Sequence, residues 1–149
     1  MKISTRLRYG LRMMMDLGAR DGAGPILLRE IARDECISEK YLSQIIIPLK
    51  AHGLVATFRG AHGGYMLGRP AADIPVREIV EALEGTIELV DCVESPAACS
   101  RSGDCVAREF WEGLGGAMRG YLESVTLDEL VRKLKARRGE PAHQGSYSI

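Results

Sequence analysis

Long apolar runs are absent from this chain of 149 residues. No stretch approaches the roughly 18 apolar residues that a membrane-spanning helix needs, and arginines interrupt the N-terminal segment, so we expect neither a membrane span nor a secretion signal. The usual catalytic motifs, such as HExxH and GxxxxGK[ST], are missing too, and the three histidines are scattered. We therefore predict a cytoplasmic protein that is not an enzyme.

Net charge is also lacking, because 20 Lys and Arg balance 20 Asp and Glu. The balance hides an asymmetry along the chain. Residues 1–69 contain 11 of the basic and 6 of the acidic residues, whereas residues 70–149 contain 9 and 14. A basic half is suited to a polyanionic partner; an uneven solvated surface is the alternative reading.

The four cysteines include no CxxC pair. Cys92, Cys99 and Cys105 lie in one polar stretch, separated by six and five residues. In a reducing compartment such thiols indicate metal or redox chemistry rather than disulfides. Without a CxxC pair or a local histidine they fit zinc poorly and an iron–sulfur cluster better, with reactive free thiols as the alternative. Cys36 lies apart, and we predict a small buried hydrophobe there.

Hydrophobic periodicity predicts a mainly α domain with one small β-hairpin. The hairpin turn contains Gly60, Gly63 and Gly64, and the helix after it begins near Pro75 and stops at Gly85. Thr126 and Glu129 form a capping box for the last helix. The predicted elements are helices over 3–20, 27–35, 38–53, 75–85, 105–125 and 127–138, and strands over 54–58 and 65–67. This is the order of a winged helix-turn-helix, followed by a long helix.

In such a fold the third helix enters the DNA major groove and reads bases near its N-terminus. The wing can place an arginine in the minor groove, and the start of the first helix can bind phosphates. Packing is the alternative role for Tyr41, and a solvated helix face for Gln44. The candidate DNA-binding residues are Lys2, Thr5, Arg6, Ser38, Lys40, Tyr41, Gln44, Arg59 and His62.

The segments KISTRLRYGLRMMMDL, ISEKYLSQIIIPLKAHGLV and RGAHGGYMLGRP, with the three-cysteine stretch after them, resemble the IscR/NsrR/RirA-type winged-helix regulators over residues 1–135. The resemblance implies a homodimeric transcription factor that binds a double-stranded operator and pairs through its long helix. It also implies an iron–sulfur cluster on Cys92, Cys99 and Cys105 that modulates operator affinity, in a class that senses iron, redox state or nitric oxide. Arg59 would then read the minor groove.

The resemblance leaves the fourth cluster ligand open. Arg108 stands where some relatives carry a histidine, and Arg8 where others use a carboxylate, so 2Fe–2S and 4Fe–4S clusters both remain possible. The alternative is a cluster-free winged-helix regulator controlled by thiol redox state or by a protein partner. We predict four regions: a winged helix-turn-helix domain over 1–85, a cysteine loop over 86–105, dimerisation helices over 106–138 and a disordered tail over 139–149.

Overall fold

Seven helices and one two-stranded sheet make up the computed structural model, which describes residues 2–139. Short 3₁₀ turns lie at Ala71–Asp73, Pro96–Ala98 and Ser102–Asp104. The helices and strands are α1 (Thr5–Ala19), α2 (Leu28–Glu35), α3 (Glu39–Ala51), β1 (Val55–Phe58), β2 (Gly64–Leu67), α4 (Val76–Glu84), α5 (Asp91–Glu94), α6 (Val106–Ser124) and α7 (Leu127–Arg138). The prediction of a mainly α winged helix-turn-helix with a long C-terminal helix is confirmed.

The hydrophobic core surrounds α1. Met13 and Met14 of α1 are fully buried, as are Leu42 of α3 and Ile79 of α4. These positions follow the helical periodicity of the sequence, so each helix has one apolar face directed at the others. The core therefore fixes α3 against α1 and leaves the opposite face of α3 in solvent.

The wing is the antiparallel hairpin of β1 and β2, with Val55 opposite Leu67 and Phe58 opposite Gly64. Ile26 adds a third short segment, because its backbone exchanges hydrogen bonds of 2.9 and 2.8 Å with Tyr65. Gly64 has a φ of +152°, and a Cβ there would lie 2.5 Å from the Ile26 carbonyl oxygen, so this approach requires glycine. Residue 26 lies between the predicted helices over 3–20 and 27–35, so the sequence did not show this pairing.

Helix α7 packs back on α1 of the same chain. Leu127 is fully buried, and Val131 lies so close to α1 that a Cβ on Gly18 would be 2.6 Å from its Cγ2. Backbone hydrogen bonds of 2.8 Å join Val76 to Val125 and Leu127 to Ile74. Of the predicted dimerisation region over 106–138, α7 thus packs on the winged-helix core; the boundaries themselves stay a prediction.

Local details refine the other predicted elements. Pro48 lies inside α3, which continues to Ala51, and Thr126 accepts a 3.3 Å hydrogen bond from the Glu129 backbone as the cap of α7. Gly139 ends α7 in the left-handed conformation; the remainder of the predicted tail, 140–149, lies outside the described residues. None of the helices described is long and apolar enough to cross a membrane.

Candidate nucleic-acid interface and cysteine segment

The turn between α2 and α3 sets the start of the candidate recognition helix. Cys36 ends α2 in the left-handed conformation with a φ of +55°, and Ile37 donates a 2.9 Å backbone hydrogen bond to Ala32. This C-cap turns the Cys36 side chain outward and places Ile37 in the core. The prediction of a buried Cys36 is therefore wrong, because the apolar position of the turn is the next residue.

Ser38 caps the N-terminus of α3, and its Oγ accepts a 3.2 Å hydrogen bond from the Tyr41 backbone. The hydroxyl hydrogen of Ser38 remains available to a phosphate. Lys40 and Gln44 lie exposed on the outer face of α3, whereas Tyr41 is half-buried. The Tyr41 ring packs edge-on against Tyr9 of α1 with centroids 6.0 Å apart, which is the packing role considered for it above.

The wing and the N-terminus expose the other candidates. Arg59 and His62 lie in the exposed turn between β1 and β2. Lys2, Thr5 and Arg6 are exposed around the first turn of α1. Ser4 holds this end in place, since its Oγ accepts a 3.0 Å hydrogen bond from the Leu7 backbone and donates to Glu84. All nine predicted DNA-binding residues are therefore exposed except Tyr41, and their contacts with DNA stay a prediction.

A charged network that sequence reasoning missed lies behind α2. Glu35 accepts a 2.7 Å hydrogen bond from Arg12 Nε, and the Glu35 carbonyl accepts one of 2.8 Å from Arg12 Nη2. Asp16, fully buried, lies 3.0 Å from Arg20 and 3.8 Å from Arg138. Burial raises the pKa of Asp16; Arg20 opposes this shift, Glu35 adds to it and Arg138 opposes it. The network joins α1, α2 and the end of α7.

We define the cysteine segment as residues 86–105. Cys92 lies in α5, Cys99 follows the 3₁₀ turn at Pro96–Ala98, and Cys105 is the N-cap of α6. All three thiols are free and half-buried. The segment is more regular than the loop that composition suggested, because short helical turns alternate with extended residues, among them Cys99 and Cys105.

The donor set of the segment suits a soft metal centre, since thiolates are the ligands of iron–sulfur clusters. The side chains are not gathered for one, however. Across residues 2–139, no group of three or more His, Cys, Asp or Glu side chains is arranged to hold a metal ion. The cysteines therefore have the chemical type of ligand that an iron–sulfur cluster needs. To hold a cluster, the segment would have to bring its three thiols together.

Two arginines of α6 attach the cysteine segment to that helix. Arg108 Nε donates a 2.8 Å hydrogen bond to the Cys92 carbonyl. Arg119 Nη1 donates to the Glu88 carboxylate at 2.5 Å and to the Ile87 carbonyl at 3.3 Å. The two arginines are eleven residues apart, about three helical turns, so they share one face of α6. The residues around Cys92 are thus held at two points on the long helix.

Comparison with known proteins assigns this architecture to a class of DNA-binding regulators. The Rrf2 family, described as iron-dependent transcriptional regulators, matches residues 3–133. The regulator CymR of Bacillus subtilis is 40% identical over 131 residues, 88% of this chain and 90% of CymR. The regulator IscR of Escherichia coli is 33% identical over 131 residues, 88% of this chain and 80% of IscR.

Solved structures agree with this assignment. The structure of CymR, described as the global cysteine regulator of B. subtilis, has a TM-score of 0.75 at 38% identity and covers 89% of this chain and 98% of its own. The structure of IscR from T. potens has a TM-score of 0.76 at 33% identity, covering 93% and 91%. The chain belongs to the Rrf2 family of transcriptional regulators. The resemblance inferred from the motifs is confirmed, as is the prediction of a regulator rather than an enzyme.

Proposed function

We propose that this chain is a homodimeric transcription regulator whose operator affinity depends on an iron–sulfur cluster held by Cys92, Cys99 and Cys105. The observation that carries the proposal is the attachment of a three-thiol segment to α6 by Arg108 and Arg119. Through this attachment, a change at the thiols reaches the helix that would pair two protomers. The iron-dependent description of the family supports iron as the metal.

DNA binding is assigned to α3 and the wing. The capped N-terminus of α3 exposes Lys40 and Gln44, groups that can serve guanine or phosphate and adenine, respectively. Arg59 in the wing turn suits a narrow minor groove, where the potential is most negative. We also propose a cytoplasmic location, because the operator DNA that the protein would bind lies there.

Dimerisation is assigned to an exposed stripe on α6. Residues at alternating spacings of four and three form it, as in the seam of a coiled coil. The stripe has large apolar residues at its N-terminal end, with Val106 77% and Phe110 63% exposed, and small residues beyond. Its members are Val106, Phe110, Gly113, Ala117, Gly120 and Ser124. Leu114 and Met118 lie outside this stripe and are half-buried.

The glycines of this stripe support a close helix pair. Glycine inside a helix costs roughly 0.5–1 kcal/mol relative to alanine. Within the described chain, nothing lies within 4 Å of a Cβ added at Gly113 or Gly120, so packing in the protomer does not require them. Close approach of α6 from a second copy would require them, which is the reason to place the dimer axis here.

The thiols and the dimer helix are linked through the chain itself. Cys105 is the residue from which α6 begins, and Arg108, one turn further on, holds the Cys92 carbonyl. A bound cluster would supply a redox-sensitive inorganic cross-link between the cysteines. With the segment fixed, α6 keeps one direction relative to α4, and the two α3 helices stay about one DNA turn, ~34 Å, apart.

Anoxic purification followed by a visible absorption spectrum and iron and sulfide analysis tests the proposal. We expect a coloured protein and an operator affinity, measured by gel shift at fixed salt, that falls about 5- to 150-fold when Cys92, Cys99 and Cys105 are all changed to Ser. Cys36→Ser is the matched control and should change neither. A colourless, iron-free protein whose operator affinity is the same in the triple variant would refute the proposal.

A cluster-free thiol regulator is the second candidate. Two observations favour it: no three-donor group is gathered among residues 2–139, and CymR, a relative at 40% identity, is described as a cysteine regulator. In that case the anoxic protein is colourless, yet oxidant changes its operator affinity and dithiothreitol restores it. The triple Ser variant would lose that response, so the same samples separate the two candidates.

A further inference from the structure

The outer face of α3 carries one apolar side chain, that of Ile47. Lys40, Ser43, Gln44 and Ile47 follow one another at spacings of three, one and three residues and therefore share one face of the helix. The opposite face, with Leu42, Ile45, Ile46 and Leu49, is buried in the core. Ile47 is 65% exposed, so the fold of the protomer does not account for an isoleucine at this position.

Exposure alone carries little information, because single apolar residues are common on protein surfaces. The position of Ile47 is what distinguishes it. The recognition helix of a homeodomain, a helix-turn-helix variant, reads base edges through residues at i, i+3, i+4 and i+7. With Lys40 as the first such position, Ile47 is the fourth. It follows Gln44 along the surface assigned to the bases.

We propose that Ile47 is a specificity-determining residue that contacts the C5-methyl group of thymine in the operator. This inference rests on the proposed DNA-binding role of α3. The thymine methyl is the apolar group that unmodified DNA presents in the major groove, where the other base edges present hydrogen-bond donors and acceptors. Isoleucine has no hydrogen-bond donor or acceptor for those edges. It therefore favours thymine both by contacting the methyl group and by leaving the polar groups of other bases without a hydrogen-bond partner.

The side chain suits this role. Isoleucine is branched at Cβ and keeps essentially one χ1 rotamer in a helix, so little conformational freedom is lost on docking. The charged residues of α3 are Glu39, Lys40 and Lys50, all exposed, which gives this helix a positive balance. A positive surround favours a polyanion over the apolar surface of a protein partner, so DNA is the occupant that these neighbours select.

The test begins with selection of binding sites from random duplexes by the full-length protein. Each thymine of the selected site is then replaced by deoxyuridine, which removes only the C5-methyl group. We expect the wild-type protein to lose affinity about fourfold at one thymine of each half-site, the effect of one buried methyl. Ile47→Ala should bind the thymine and uracil duplexes equally, whereas Ile47→Val should keep most of the discrimination.

Different results would overturn the proposed function and the proposed role of Ile47. Failure to enrich any sequence would overturn the proposed function and this inference with it. Selected sites whose thymine preference survives in Ile47→Ala would overturn the inference alone. So would a change of oligomeric state in Ile47→Ala, measured by light scattering, because the residue would then belong to a protein interface. Unchanged thermal unfolding of both variants verifies that the fold is intact.

Discussion

At the scale of single residues, the buried Asp16 ties the stability of the fold to pH. Within the described chain its two carboxylate oxygens accept no aligned hydrogen bond, although the ion pair with Arg20 is only 3.0 Å long. Burial holds the pKa of Asp16 above its usual value of 3.8. The folded state therefore binds this proton more readily than the unfolded state does.

Replacing Asp16 by Asn should flatten the pH profile of stability. The stability that the raised pKa provides is fully present at a pH below the pKa of Asp16 in the unfolded chain. It is lost as pH rises through the pKa of Asp16 in the folded protein. Asn does not titrate. The free energy of unfolding of Asp16→Asn should therefore increase relative to that of the wild type as pH rises from about 4 to 7. Urea denaturation at a series of pH values measures this difference.

Asp34→Asn is the matched control for this measurement, because Asp34 also pairs with Arg20. A hydrogen bond from Arg33 lowers the pKa of Asp34, so its contribution is present at neutral pH and is lost as pH falls. The control should therefore fall behind the wild type in stability as pH rises toward about 4, and should run parallel to it from about 4 to 7. An Asp16→Asn profile parallel to that of Asp34→Asn would contradict the assigned direction.

The sequence predicts the role of a residue where neighbouring residues in the chain decide it. The Ser38 cap is set by its neighbours in the chain and was predictable. The burial of Asp16 was not, because it depends on α7 returning to α1 over more than a hundred residues; the only trace is one carboxylate next to the apolar run Met13–Met15. The outward Cys36 required knowing which residue of a two-residue turn takes the left-handed conformation.

At the scale of elements, the stripe on α6 makes a prediction about assembly. Ala117 lies exposed in the middle of the stripe, where a second helix would lie close. Ala117→Arg should convert the protein from a dimer to a monomer of 16.3 kDa, because a buried, unpaired guanidinium is costly in a helix interface. Light scattering at micromolar concentration measures the mass.

The same substitution on another helix provides the control for assembly. Ala136 is exposed on α7 and lies outside the stripe, so Ala136→Arg should stay dimeric. If both variants remain dimers, the protomers pair through a different surface.

The bounds of most elements were predictable to within a few residues, because helix periodicity and caps are local signals. The hairpin and the six predicted helices, which correspond to α1, α2, α3, α4, α6 and α7, fall in this class. What the sequence did not reveal depends on contacts between distant segments, such as the Ile26 strand against Tyr65 and the packing of α7 on α1. Within the cysteine segment apolar periodicity is absent, so its short turns left no pattern to read.

At the scale of the whole molecule, Arg108 and Arg119 are predicted to couple the thiols to dimer geometry. Changing both to Gln removes the guanidinium groups that hold the Cys92 and Ile87 carbonyls. We expect alkylation of Cys92 by iodoacetamide, followed by mass spectrometry, to accelerate about threefold to tenfold as the segment opens more often. The operator affinity should also become less sensitive to the state of the cysteines.

Arg132→Gln is the control for the coupling, because Arg132 pairs with Asp128 within α7 and does not contact the cysteine segment. It should leave the alkylation rate and the operator response unchanged. Equal alkylation rates in the wild type and the double variant would mean that other contacts hold the segment.

The backbone pairing of residues 74–76 with 125–127 has a mechanical consequence. It fastens the C-terminal end of α6 to the winged-helix core, while the opposite end starts at Cys105. A helix of 19 residues is about 28 Å long, so a tilt about its fastened end moves the Cys105 end farthest. A force applied at Cys105, far from the attachment at Val125, therefore has the greatest leverage for tilting α6.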